Sequence, residues 1–132
     1  MITGFITDQL ENLAREAEQD PGQGCFDRAD QLIKSIAEQN SSPSMLTLLV
    51  ILPHPLQFIR PLRFPGMEWD KHFAVLYAGW VIDPSHGQIV SEEHYRREAF
   101  GDQKVFLKKF RYPYLRSSVT DYVDEMQERA FA

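Results

Sequence analysis

Three residue types able to carry out thiol chemistry stand at suggestive places in this chain: one cysteine, Cys25; one histidine, His72, opening an apolar run; and one aspartate, Asp83, closing the next. A thiolate is a nucleophile, an imidazole can take its proton, and a buried carboxylate fixes the tautomer and orientation of that imidazole. The combination needs the histidine and aspartate side by side and the cysteine within reach of both.

The spacing of His72 and Asp83 predicts their proximity. Phe73 to Tyr77 and Trp80 to Ile82 are β-branched and aromatic runs with only Ala78-Gly79 between them, which reads as a β-hairpin. With Ala78-Gly79 as the loop, Tyr77 pairs with Trp80, Ala74 lies opposite Asp83 and His72 falls opposite Ser85. Side chains alternate with period two, so His72, Ala74, Leu76, Val81 and Asp83 share one face. His72 and Asp83 are then diagonal neighbours, about 7–8 Å apart at the backbone and within side-chain reach.

Cys25 follows the breaker Asp20-Pro21-Gly22-Gln23-Gly24 and stands at the start of a helix whose buried stripe is Phe26, Ala29, Leu32, Ile33, Ile36 and Ala37. Unpaired N–H groups and the helix dipole favour a thiolate there. A glycine such as Gly24 lets the backbone approach a substrate and turn N–H groups towards a developing oxyanion.

The other elements follow from pattern. Residues 5–19 form an amphipathic helix on Ile6, Leu10, Leu13, Ala14 and Ala17. Met45 to Leu52 reads as a strand buried on both faces. Residues 56–64 suggest a short edge strand interrupted by Pro61, with Arg60 and Arg63 facing solvent. A short helix runs from Ser91 to about Phe100, and Val105 to Phe110 is an edge strand carrying lysines. Ser118 with Asp121 reads as a capping box opening a last helix on Val119, Tyr122, Val123 and Met126.

Composition sets the bounds. The chain has 132 residues, 43% hydrophobic and 12% aromatic, which suits a single globular domain over 1–132. A net charge of −5 without a basic, aromatic-interleaved patch argues against nucleic acid as partner. No run approaches the ~20 apolar residues of a membrane span, and no signal peptide is evident, so a cytoplasmic location, or delivery as an effector domain, is expected. A single cysteine excludes an internal disulfide.

Cysteine opening a helix, then a strand with histidine, then a strand with aspartate resembles the papain-like thiol fold of peptidases, transglutaminases and deamidases. Within that group the chain is similar to short bacterial papain-fold toxin domains. It carries Cys25 and Ala29, then His72-Phe73-Ala74-Val75-Leu76-Tyr77-Ala78-Gly79-Trp80-Val81-Ile82-Asp83, and then Gly87. Pro84 and Tyr95 stand near places where that group often has asparagine and tryptophan. The resemblance implies an α+β fold in which the cysteine helix packs on an antiparallel sheet, flanked by N- and C-terminal helices. It implies catalytic Cys25, His72 and Asp83, with Gln19 or Gln23 assisting the oxyanion beside Gly24. Trp69, Trp80 and His86 are candidates to line the substrate groove.

The expected activity is amide hydrolysis through a thioester, on a protein or peptide substrate and without a cofactor. Deamidation and proteolysis use the same residues. Two other readings stand beside it. One is a catalytically silent papain-like binding module. The other is a metal site from Cys25, His72, Asp83 and His86, against which stands the lack of any short Cys/His ligand pair.

Overall fold

The computed structural model describes residues 4–21, 24–39, 45–55 and 57–130. In chain order these form α1 (Gly4–Gln19), α2 (Cys25–Gln39), β1 (Leu46–Pro53), β2 (His72–Tyr77), β3 (Trp80–Asp83), β4 (Gln88–Ser91), α3 (Tyr95–Phe100), β5 (Val105–Arg111) and α4 (Arg116–Ala130). The strands make one antiparallel sheet of order β4-β3-β2-β1-β5. The fold is α+β, with the cysteine helix laid on the sheet and helices at both ends of the chain.

The sheet is buried on both faces, and period-two alternation assigns each side chain to a face. Leu46, Leu48, Val50 and Leu52 of β1, with Phe73, Val75 and Ile82, pack beneath α1, α2 and α4. Leu49, Ile51, Ala74, Leu76 and Val81 form a second core with Ile59, Trp69 and the α3 residues Tyr95, Ala99 and Phe100. β1, apolar at nearly every position, contributes to both cores, as β2 and β3 do. β5 lies at the edge, its exposed positions carrying Lys108 and Lys109.

The β2–β3 hairpin has the expected register, Tyr77 with Trp80, Leu76 with Val81 and Val75 with Ile82. Ala78 and Gly79 both have positive φ, 52° and 85°. That is the backbone of a two-residue turn of type I′, whose twist matches the strands it joins.

Other expectations need correction. The ladder stops before His72 could pair with Ser85. The Asp83 carboxylate accepts the backbone N–H groups of Ser85 and His86, at 3.0 and 3.1 Å, and turns the chain into 84–87 instead. That turn starts β4, which the polar, mixed sequence Gln88–Ser91 concealed. Residues 57–64 contribute only the isolated Ile59–Trp69 bridge, and Leu56 lies outside the described residues. Arg63 does not face solvent. It bonds Ser85 O at 2.7 Å, Ala14 O at 3.4 Å and Glu18 Oε1 at 2.6 Å, pinning the 84–87 turn to α1. Ser118 is not a cap, because α4 already begins at Arg116. Arg116 is drawn there by Asp27 and Asp30 of α2 and lies over the Phe26 ring.

Among the described residues no helix is long and apolar enough to cross a membrane.

Candidate active site

α2 begins on Cys25, and the preceding Gly24 accepts the first intrahelical bond, Arg28 N to Gly24 O at 2.9 Å. The first-turn N–H groups of such a helix have no intrahelical acceptor and point past Cys25. Two contacts fix this end of the helix. Phe26 stacks on Phe73, the second residue of β2, with ring centroids 4.6 Å apart. Asp30 receives the Tyr114 hydroxyl at 2.6 Å. The cysteine is thereby held at the end of the sheet where β2 starts and β3 finishes.

His72 and Asp83 project from the opposite face of the sheet to α2, as their parity requires, and meet Cys25 around the strand ends. His72 is fully buried, its ring stacked on Trp69 at 4.6 Å and edge-on to His86 and Phe100. Its Nε2 lies 2.8 Å from Asp83 Oδ2.

Asp83 is saturated with donors. Oδ2 also meets His86 Nδ1 at 2.8 Å and the Tyr95 hydroxyl at 2.5 Å, while Oδ1 takes the two backbone N–H groups of the turn. A carboxylate surrounded in this way is an acceptor only, so both imidazoles turn an N–H towards it. His72 therefore carries its proton on Nε2 when neutral, and Nδ1 is the nitrogen left for the sulfur.

No hydrogen bond of standard geometry joins His72 Nδ1 to Cys25 Sγ, yet the groups are close enough to shift one another's charge. Burial pushes the Cys25 thiol up, but the charge and polar contact of His72, aided by Ser85 and Arg28, bring it below its ordinary value. Burial disfavours the His72 imidazolium, but Asp83 and the Cys25 thiolate raise its pKa from 6.5 to about 10. Asp83 is likewise penalised by burial and held well below the usual carboxylate range, first by His72 and then by His86. These shifts favour a thiolate–imidazolium pair backed by an ionised aspartate.

Among the described residues, the sulfur's polar neighbours at hydrogen-bonding geometry are Ser85 Oγ, at 3.7 Å, and Arg28 Nη2, at 3.8 Å. Arg28 Nε also reaches Ser85 Oγ at 3.3 Å. All three residues are buried.

The structure thus brings Cys25, His72 and Asp83 together, with His86 and Trp69 packed around the imidazole. Trp69 and His86 are 3% and 5% exposed and act as walls of the site. Trp80 stands at the hairpin turn, half exposed, with the length of β3 between it and Asp83. Gln19 is exposed at the last position of α1, and Gln23 lies outside the described residues. Sequence reasoning missed Arg28, Ser85 and Tyr95 as members. Arg28 had a signal: it follows Cys25 by three and precedes Leu32 by four, which places a charge on the buried stripe. Tyr95 had none, since its reach to Asp83 depends on where α3 docks.

His72, Asp83 and His86 also place three potential ligand atoms within 4.8 Å of one another. One nitrogen of each ring is hydrogen-bonded to the same carboxylate oxygen, which is the geometry of a proton-holding cluster; coordination through those two nitrogens would require the bonds to part.

Compared with family models, curated proteins and solved structures, the chain finds no match.

Proposed function

We propose that this protein is a thiol-dependent amide hydrolase of papain-like type, with Cys25 as nucleophile, His72 as base and acid, and Asp83 as the orienting carboxylate. The observation carrying this reading is the His72 Nε2–Asp83 Oδ2 bond in a fully buried pair, with Cys25 coupled to the same imidazole. The thiolate attacks an amide carbonyl, and a tetrahedral intermediate collapses to a thioester as His72 protonates the departing amine. Water, deprotonated by His72, then releases the acid and restores the thiol. A glutamine side-chain amide would be deamidated by this sequence, and a peptide bond would be cut.

Only 8% of Cys25 is exposed. That favours a small side-chain amide or a restricted peptide as substrate over an extended chain read at many subsites. It equally suits the second reading, a silent binding module of the same fold, acting in the cytoplasm or as a delivered effector.

Thiol reactivity against pH separates the two. Wild type should react with iodoacetamide rapidly near pH 6, where an ordinary thiol with a pKa near 8.5 is almost wholly protonated. His72→Ala should slow the reaction at least tenfold, and Asp83→Asn should slow it less. Equal rates for wild type and His72→Ala, with circular dichroism showing both folded, would end the triad reading and leave Cys25 as packing.

A further inference from the structure

The hydrolase reading leaves one charged group beside the nucleophile without a task. Arg28 is 6% exposed, and its guanidinium contacts both the sulfur and Ser85 Oγ, which in turn contacts the sulfur. These three contacts close a triangle with Sγ at one corner and Arg28 of α2 and Ser85 of the 84–87 turn at the others. His72 reaches the site from β2.

Space for the guanidinium is built into the backbone. Gly24 has a φ of +76°, and a Cβ there would lie 2.9 Å from Arg28 Nη1. The glycine before the cysteine therefore serves the arginine as well as the turn. Arg28 and Cys25 are three apart on one helix, so the pair keeps its geometry as long as the first turn of α2 is intact.

We propose that Arg28 is a catalytic residue of this site: it is the cation that pairs with the Cys25 thiolate and then donates to the oxyanion formed when the thiolate attacks a carbonyl. This rests on the hydrolase reading above. It fills the role that the sequence offered to Gln19 or Gln23.

The electron flow explains why one donor can serve both states. The sulfur lone pair forms the new S–C bond, and the carbonyl π pair moves onto oxygen, two bonds from Sγ. A donor 3.8 Å from the sulfur is within reach of an atom so placed. Charge leaves the sulfur as it arrives on the oxygen, so the guanidinium keeps an anionic partner throughout. Its interaction strengthens as the charge settles on oxygen, the harder acceptor. Collapse returns the pair to the carbonyl and expels the leaving group, which takes its proton from His72 when it is an amine. Among the described residues, the charged and titratable groups facing the sulfur are Arg28 of α2 and His72 of β2. Asp83 and His86 after β3 and Tyr95 of α3 stand behind the imidazole.

The test compares two reagents on the whole chain. Iodoacetamide alkylates the thiolate without forming an oxyanion, whereas p-nitrophenyl acetate acylates it through one. Both rates are divided by the thiolate fraction, read from thiolate ultraviolet absorbance against pH. Arg28→Gln should lower the acylation-to-alkylation ratio by about tenfold or more, and Arg28→Lys should restore part of it. His72→Ala should change both reactions through the thiolate fraction and leave their ratio nearer to wild type. A failed triad therefore shows as an unmoved His72→Ala profile, and a failed arginine role as an unmoved Arg28→Gln ratio. Should Arg28→Gln not fold, Arg28→Lys alone decides. A ratio several-fold below wild type supports the assignment, and a ratio equal to wild type overturns it.

Discussion

His72 Nε2 lies 2.8 Å from Asp83 Oδ2, and neither side chain has any exposed surface. Five donors converge on that one carboxylate: two imidazole N–H groups, a phenol and two backbone amides. A carboxylate can accept all five only while ionised, so the cluster sets the His72 tautomer as well as its position.

Replacing Asp83 by Asn puts an NH2 group among donors. At least one buried N–H or O–H must then lose its acceptor, and the His72 ring loses its counter-charge. Breaking a buried charged pair in this way costs about 3–5 kcal/mol. Asp83→Asn should lower the urea midpoint accordingly, and Asp83→Ala, which removes every acceptor, should lower it further. Equal midpoints for wild type and Asp83→Asn would mean that the carboxylate is not the hub described.

Tyr95→Phe removes one of the five donors and leaves four. The ring stays packed edge-on against Phe100, at 5.7 Å between centroids. The expected loss is about 1–2 kcal/mol, within the range for a hydrogen bond to a charged group. The thiol titration should shift little, because His72 keeps its own bond to Asp83. A shift as large as that of Asp83→Asn would make the phenol a determinant of the His72 charge, contrary to this division of roles.

The hairpin face shared by His72 and Asp83 could be read from the sequence because a two-residue turn and period-two alternation determine it locally. The same holds for Cys25 opening α2, since the glycine and proline breakers precede it directly. What could not be read depends on docking. Ser85 enters the site because Asp83 bends the chain away from the ladder, and Tyr95 because α3 packs over the second core; Arg63 pins the 84–87 turn because α1 passes beside it. Arg28 was readable in part: its position on the helix stripe predicts burial, but its partner Ser85 is 57 residues away.

The turn itself offers a stability test remote from the chemistry. Ala78 is exposed at φ 52°, in the left-handed region that disfavours a residue with a Cβ and no local hydrogen bond. Asn followed by Gly is the favoured pair for a type I′ turn. Ala78→Asn should therefore stabilise by about 0.5–1 kcal/mol, seen as a higher thermal midpoint with unchanged thiol reactivity. A lower midpoint would mean that the turn is not of this type in solution.

The coupled charges also fix how stability varies with pH. The His72 pKa is raised on folding, from 6.5 to about 10. Between those values the folded state holds a proton that the unfolded state has released. This contribution is complete below pH 6.5 and is lost progressively as pH rises to about 10. Asp83 works in the opposite sense: its pKa is depressed on folding, so its contribution is complete above about pH 4 and is lost as pH falls through the depressed value. Cys25 offsets the alkaline loss over most of that range, because its pKa is lowered on folding and the folded state has already released the proton that the unfolded thiol holds up to about pH 9. Denaturation midpoints followed across pH should accordingly rise from acid pH, level off near neutrality and fall only above about pH 9, where the unfolded pair has lost both protons and His72 still holds one. His72→Ala should flatten the alkaline limb while keeping an acid limb from the remaining partners of Asp83. An alkaline limb equally steep in His72→Ala would place the proton on some other group and overturn the assignment of the imidazolium to His72.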